Sequence, residues 1–160
     1  MANQNEYIKE LTLTRLFDAP RERVWKAWTD PKLLAQWWGP DGFTIPVCEV
    51  DTRPGGAILI HMKGFGMLTA MAGIFKEVVK PERLVFTNNA YFEVPPVTPV
   101  VESITTITFV DVSGKTRLTM HTGVFKASPA AAQALAGMEP GWTQTLEKLA
   151  DFLQKEPEKE

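Results

Sequence analysis

From Ile45 to Gly123, nearly half of the chain reads as an unbroken succession of short strands, and one helix-length apolar stripe outside that region is available to cover them. Turn residues punctuate the run. Pro54-Gly55-Gly56, Gly64-Phe65-Gly66, Lys80-Pro81-Glu82 and Ser113-Gly114 separate Val47–Arg53, Ala57–Lys63, Met67–Val79, Leu84–Tyr91, Val100–Val110 and Thr116–Val124. Strands that follow one another through such turns pair antiparallel, and Gly64-Phe65-Gly66 suits a tight hairpin. Val94–Pro99 stands apart. Three of its residues are prolines, which lack the donors a central strand needs, so it is read as a loop. The covering stripe is Trp142, Leu146, Leu149, Phe152 and Leu153, spaced for one face of a helix. One antiparallel sheet with its helices on one face is the α+β arrangement that buries both.

The chain ends fit this plan. Ile8–Phe17 alternates as a strand, with an irregularity near Lys9–Glu10. Asp18 or Ala19 is then the expected cap of a short helix that has Pro20 at its first position and Val24, Ala27 and Trp28 on one face. Asp30-Pro31 repeats the start signal for a second short helix carrying Leu34, Trp37 and Trp38, which Gly39-Pro40 stops. Ser128-Pro129 opens the last helical segment, Pro140-Gly141 is expected to bend or restart it, and Glu156–Glu160 reads as a frayed charged tail. The expectation is one domain over residues 1–160 with its core at about 7–154. It has about six to seven strands, two short helices after the first strand, and a long C-terminal helix.

Several function classes lose support at once. The formal net charge is -2 and no basic stripe is present, so nucleic acid is not an expected partner. Cys48 is the single cysteine, which rules out an intramolecular disulfide and favours a reducing, cytoplasmic setting. The opening MANQNEYIKE has no apolar stretch of the secretory kind, and no run approaches the ~20 apolar residues that span a bilayer. His61 and His121 lack neighbours at ligand spacing, so no metal is expected. If Met120 faces inward, His121 faces out. No nucleophile elbow, phosphate-cradling glycine loop or carboxylate pair is found, so no catalytic residue and no cofactor is assigned. Glu77, Glu82 and Arg83 read as solvated charges around a turn.

The candidate ligand residues come from five Trp, nine Phe and six Met. Met and aromatic side chains fill cores, and they also line adaptable cavities. From the strands the cavity pool takes Met62, Met71, Phe75, Phe86, Tyr91 and Met120. The hairpin adds Phe65 and Met67, and the last helix adds Trp142 and Leu146. Trp37 and Trp38 read either as the rim of a cavity or as a structural plug. Trp142 is expected to anchor the last helix on the sheet first and to face a ligand second.

Three groups of residues carry a family resemblance. They are Ala19–Pro31 with Leu34, Trp37-Trp38-Gly39-Pro40 and Gly42-Phe43; Arg53–Gly56 with Gly73–Val78 and Pro81–Leu84; and Gly141–Leu146. In this order the chain resembles homologues of the activator of the ninety-kilodalton heat-shock-protein ATPase. These belong to the START-like superfamily, together with polyketide cyclases and pollen-allergen carriers. The resemblance implies the helix-grip fold, a curved antiparallel sheet around a long C-terminal helix with a cavity between, and a link to stress response. The Pro-rich stretch 94–99 departs from the simplest members and reads as a loop over the cavity mouth. The leading functional expectation is a binding protein for a small hydrophobic or amphipathic molecule, as monomer or homodimer. The alternatives are a cyclase- or hydrolase-like enzyme acting on the enclosed ligand, and a co-chaperone-like partner of a chaperone ATPase.

Overall fold

The computed structural model describes residues 7–155, so the expected tail at 156–160 and the first six residues lie outside it. β1 (Lys9–Phe17) leads into α1 (Arg21–Thr29) and α2 (Pro31–Trp37). Next come β2 (Thr44–Val50), β3 (Ala57–Gly64), β4 (Met67–Val79), β5 (Arg83–Thr87), β6 (Asn89–Tyr91), β7 (Val101–Val112) and β8 (Lys115–Ala127). A 3₁₀ turn (Pro129–Ala131), α3 (Ala132–Ala136) and α4 (Met138–Gln154) close the chain. The strands form one antiparallel sheet in the order β1-β8-β7-β5-β4-β3-β2, with β6 paired to β4 and β7.

Alternation selects the covered face. Ile107, Phe109, Leu118 and Met120 point inward with Ile60, Phe75 and Leu84, and Leu146, Leu149 and Leu153 of α4 join them in one core. Thr12 and His121, which share a register position, point away. β2 tolerates Pro46 because it is an edge strand, and its register slips between Thr44 and Val47.

Local chemistry moves several boundaries from their expected places. β1 runs in unbroken register against β8, without the irregularity expected near Lys9. Pro20 is itself the cap of α1 and not its first helical residue. No side chain caps that helix, and the Pro20 carbonyl takes the N–H groups of Arg23 and Val24. At α2 the expected start holds, because the Asp30 carboxylate accepts from Lys32 N at 2.9 Å. Leu84–Tyr91 divides into β5 and β6 at Asn88, which gives eight strands; asparagine fits a pleated ladder poorly. The last helix breaks at Gly137 and runs straight through Pro140-Gly141. Pro140 lies in the first turn of α4, where its missing N–H leaves no acceptor unmet.

Two contacts tie the helices to one another. The Arg23 guanidinium donates to the carbonyls of Leu153 and Lys155 at 2.6 and 2.5 Å, placing a cation at the C-terminus of α4. Trp37 is fully buried, and its Nε1 donates to the Ala27 carbonyl at 3.0 Å. Trp37→Ala is therefore expected to destabilise the protein by about 3–5 kcal/mol, read as a fall in the urea midpoint without loss of cooperativity. A loss below about 1 kcal/mol would mean that this side chain does not carry the α1–α2 packing.

Candidate functional site

Two spaces open on the helix side of the sheet. The larger is a cleft of about 280 Å³ beside the N-terminal half of α4. Trp38, Gly39 and Pro40 form one wall, Met62, Met71 and Ala90 the floor, and Ala134, Met138 and Trp142 the roof. Small residues keep it open. Gly141 lines the cleft, and a Cβ added there would meet no atom within 4 Å. The smaller space, about 20 Å³, lies deeper, between α1–α2 and strands β2 to β5. Trp38 and Met71 line both.

The wall is built by the sequence around the end of α2. Trp38 caps that helix, so its ring leaves the helix axis and meets three other tryptophans edge to face. Ring centroids lie 6.1 Å from Trp28, 5.9 Å from Trp37 and 5.5 Å from Trp142. Such geometry sets the positive edge of one ring on the negative face of another. α4 holds the segment in place. Gln144 Oε1 accepts from Asp41 N at 3.0 Å, and Lys148 Nζ donates to the Gly39 carbonyl at 3.2 Å.

The cleft is chemically plain. None of its lining side chains is ionisable, and beside the indoles of Trp38 and Trp142 the polar ones are Asn88 and Thr145. Thr145 Oγ1 donates to the Gly141 carbonyl at 2.9 Å. Asn88 ties its backbone N–H to the Ser103 carbonyl at 2.8 Å. Behind it, Thr105 and Thr122 satisfy each other at 3.0 Å. Among the described residues no cluster of three or more His, Cys, Asp or Glu could hold a metal ion, and no helix is long and apolar enough to cross a membrane.

Ten of the expected residues separate into four places. Trp38, Met62, Met71 and Trp142 line the cleft. Phe75 and Phe86 line the inner space with Trp38 and Met71. Trp37, Met120 and Leu146 are fully buried in the core and touch neither. Tyr91 is half-buried on β6 and lines neither space.

Phe65 and Met67 are corrections. They occupy the tip of the β3–β4 hairpin, 75% and 51% exposed, because the turn falls beyond the end of the covering helices. Trp142 is half-buried, packs against the main core cluster and meets Trp38 edge to face at 5.5 Å. The Pro-rich segment 94–99 contributes no lining residue. Sequence reasoning missed Trp28, Asn88, Met138 and Gly141. The Asn88-Asn89 pair inside a strand-like run was the available signal for Asn88.

His121 Nε2 lies 2.9 Å from Glu10 on the outer face. His61, also facing outward by alternation, has a buried Nε2 without a protein partner. Cys48 faces inward below α2. Burial, with Asp30 and Glu49 nearby, pushes its thiol up to about 11.

Residues 18–154 match the model of the family described as Activator of Hsp90 ATPase homolog 1-like protein. A crystal structure of a protein from Chromobacterium violaceum is similar at 31% identity and a TM-score of 0.77, covering 92% of this chain and 99% of that one. A solution structure from Arthrobacter aurescens is 26% identical, with a TM-score of 0.78 over 91% of this chain and 86% of that one. The AHSA1 protein from Silicibacter pomeroyi is 27% identical, with a TM-score of 0.74 over 91% and 98%. No curated protein matches the chain significantly.

The Cys48 environment yields a test. A thiol near 11 is almost wholly protonated at neutral pH, and the thiolate is the nucleophile. Alkylation by iodoacetamide is expected to be slow in the native protein and to keep rising with pH beyond the ordinary thiol range of about 8.5. A rate that levels off near that value would show Cys48 to be an ordinary exposed thiol.

Proposed function

The chain belongs to the Activator of Hsp90 ATPase homolog 1-like family, and from that premise we propose that it encloses a small apolar or amphipathic molecule in the cleft beside α4. One observation carries the reading. A cleft of about 280 Å³ is walled by two tryptophans and three methionines, with no ionisable side chain in its lining. Apolar walls with a few polar groups are the usual make-up of a small-molecule site. Met62, Met71 and Met138 suit ligands of varied shape, because the thioether side chain is flexible and polarizable. An enzyme acting on the enclosed molecule would need a general acid or base within reach, and the lining supplies none.

A second reading, contact with a chaperone-type ATPase, takes its support from the family and from the exposed apolar hairpin of Phe65, Met67 and Leu68. Its test is the hydrolysis rate of a purified Hsp90-type ATPase with and without this protein. An increase that Phe65→Ser abolishes would favour it over the carrier reading.

For the carrier reading, native mass spectrometry of the protein as isolated is expected to reveal a species heavier than the chain by one small neutral molecule. Trp142→Ala removes one aromatic wall and is expected to weaken retention about tenfold. A protein that carries no adduct and takes up no apolar compound when offered one would contradict the reading.

A further inference from the structure

Trp28 is 3% exposed, and its indole Nε1 is buried without a protein acceptor. Trp37, in edge-to-face contact with it at 4.7 Å, does have one, the Ala27 carbonyl. Buried indole N–H groups nearly always find a partner, because an unmade hydrogen bond forfeits the hydration the donor had in water. The orphan donor therefore points to something that is bound there.

The deeper space adjoins the same side chain. Trp28 lines it with Trp38, and the remaining lining side chains are apolar, among them Leu34, Ile58, Phe75 and Phe86. Its volume of about 20 Å³ is close to that of a single water. A water is a poor occupant, since it needs two to four polar partners and the lining side chains offer indole donors but no oxygen acceptor. An acceptor oxygen carried on an apolar body meets both conditions: it satisfies the indole and puts carbon against the rest of the wall. Trp38 and Met71 stand between this space and the cleft and line both. Trp38 is held by its aromatic neighbours, so Met71 is the movable part of that partition.

We propose that the cleft and the deeper space form one binding site for an uncharged, flat molecule whose leading end bears a hydrogen-bond acceptor of ketone, aldehyde or ether type, received by the Trp28 indole N–H. This rests on the carrier reading and specifies its ligand class. A carboxylate at the leading end is excluded, because no lining side chain can neutralise it and burying an unpaired charge is strongly unfavourable. A bare hydrocarbon fits the walls but leaves the indole unmet.

Three two-ring probes separate these cases: naphthalene, acetylnaphthalene and naphthoate, titrated into nitrogen-labelled protein while the indole N–H signals are followed by NMR. Acetylnaphthalene is expected to bind about tenfold more tightly than naphthalene and to move the Trp28 indole signal downfield. Naphthalene should move the Trp38 and Trp142 signals but not that of Trp28, and naphthoate should bind weakest. Trp28→Phe keeps a ring and removes the donor, so it should bring the affinities for acetylnaphthalene and naphthalene together. If the ketone and the hydrocarbon bind alike and leave the Trp28 signal unmoved, the proposal fails while the carrier reading stands. If naphthoate binds best, the proposal fails as well. If none of the three binds, the carrier reading fails with it.

Discussion

Everything near the cleft depends on Trp38. Its ring is in contact with Trp28 and Trp37 on the core side and with Trp142 on α4, each pair edge to face. Edge-to-face pairs are worth about 0.5–1.5 kcal/mol each beyond the area they bury, and they fix orientation as well as distance. The cluster joins α1 and the end of α2, which follow one another in the chain, to α4 near its other end. Lys148 reinforces it by donating to the Gly39 carbonyl, just past the end of α2, where a cation is favoured. The ring that completes the core is thus also the wall of the cleft and the partition before the deeper space.

The same arrangement accounts for where the opening lies. The C-terminal part of α4 is sealed by Leu149 and Leu153 and pinned by Arg23. The N-terminal part carries Gly141 and follows Gly137, and opposite it β6 presents Ala90. Gly141 inside a helix costs roughly 0.5–1 kcal/mol relative to Ala, so the space it leaves is obtained at the expense of helix stability. Packing at one end and small residues at the other make an open cleft beside half of the helix instead of a channel along all of it.

Much of this was legible in the sequence. Strand alternation placed Met120 inward and His121 outward, and Asp30-Pro31 marked a true helix start, because these signals depend on neighbours along the chain. The site was less legible, since membership in a cavity depends on where an element ends in space. Phe65 and Met67 have the right chemistry for a cavity wall and sit on a hairpin tip instead. Leu146 and Met120 have it too and are packed solid. Gly141 and Ala90, which make the space, have no side-chain signature of their own. Trp28 read as an ordinary helix-face residue, and only its unpartnered nitrogen in the folded chain sets it apart.

The central claim is that the cleft beside α4 holds a small apolar molecule, and filling that cleft tests it most directly. Gly141→Leu places a side chain where an added Cβ meets open space, and it replaces a poor helix former with a good one. Calorimetric titration of the wild type and this variant with naphthalene, beside their urea midpoints, is the measurement. The account predicts a variant at least as stable as the wild type that has lost naphthalene binding. A variant that folds and binds naphthalene as well as the wild type would show that the cleft is not where the ligand sits.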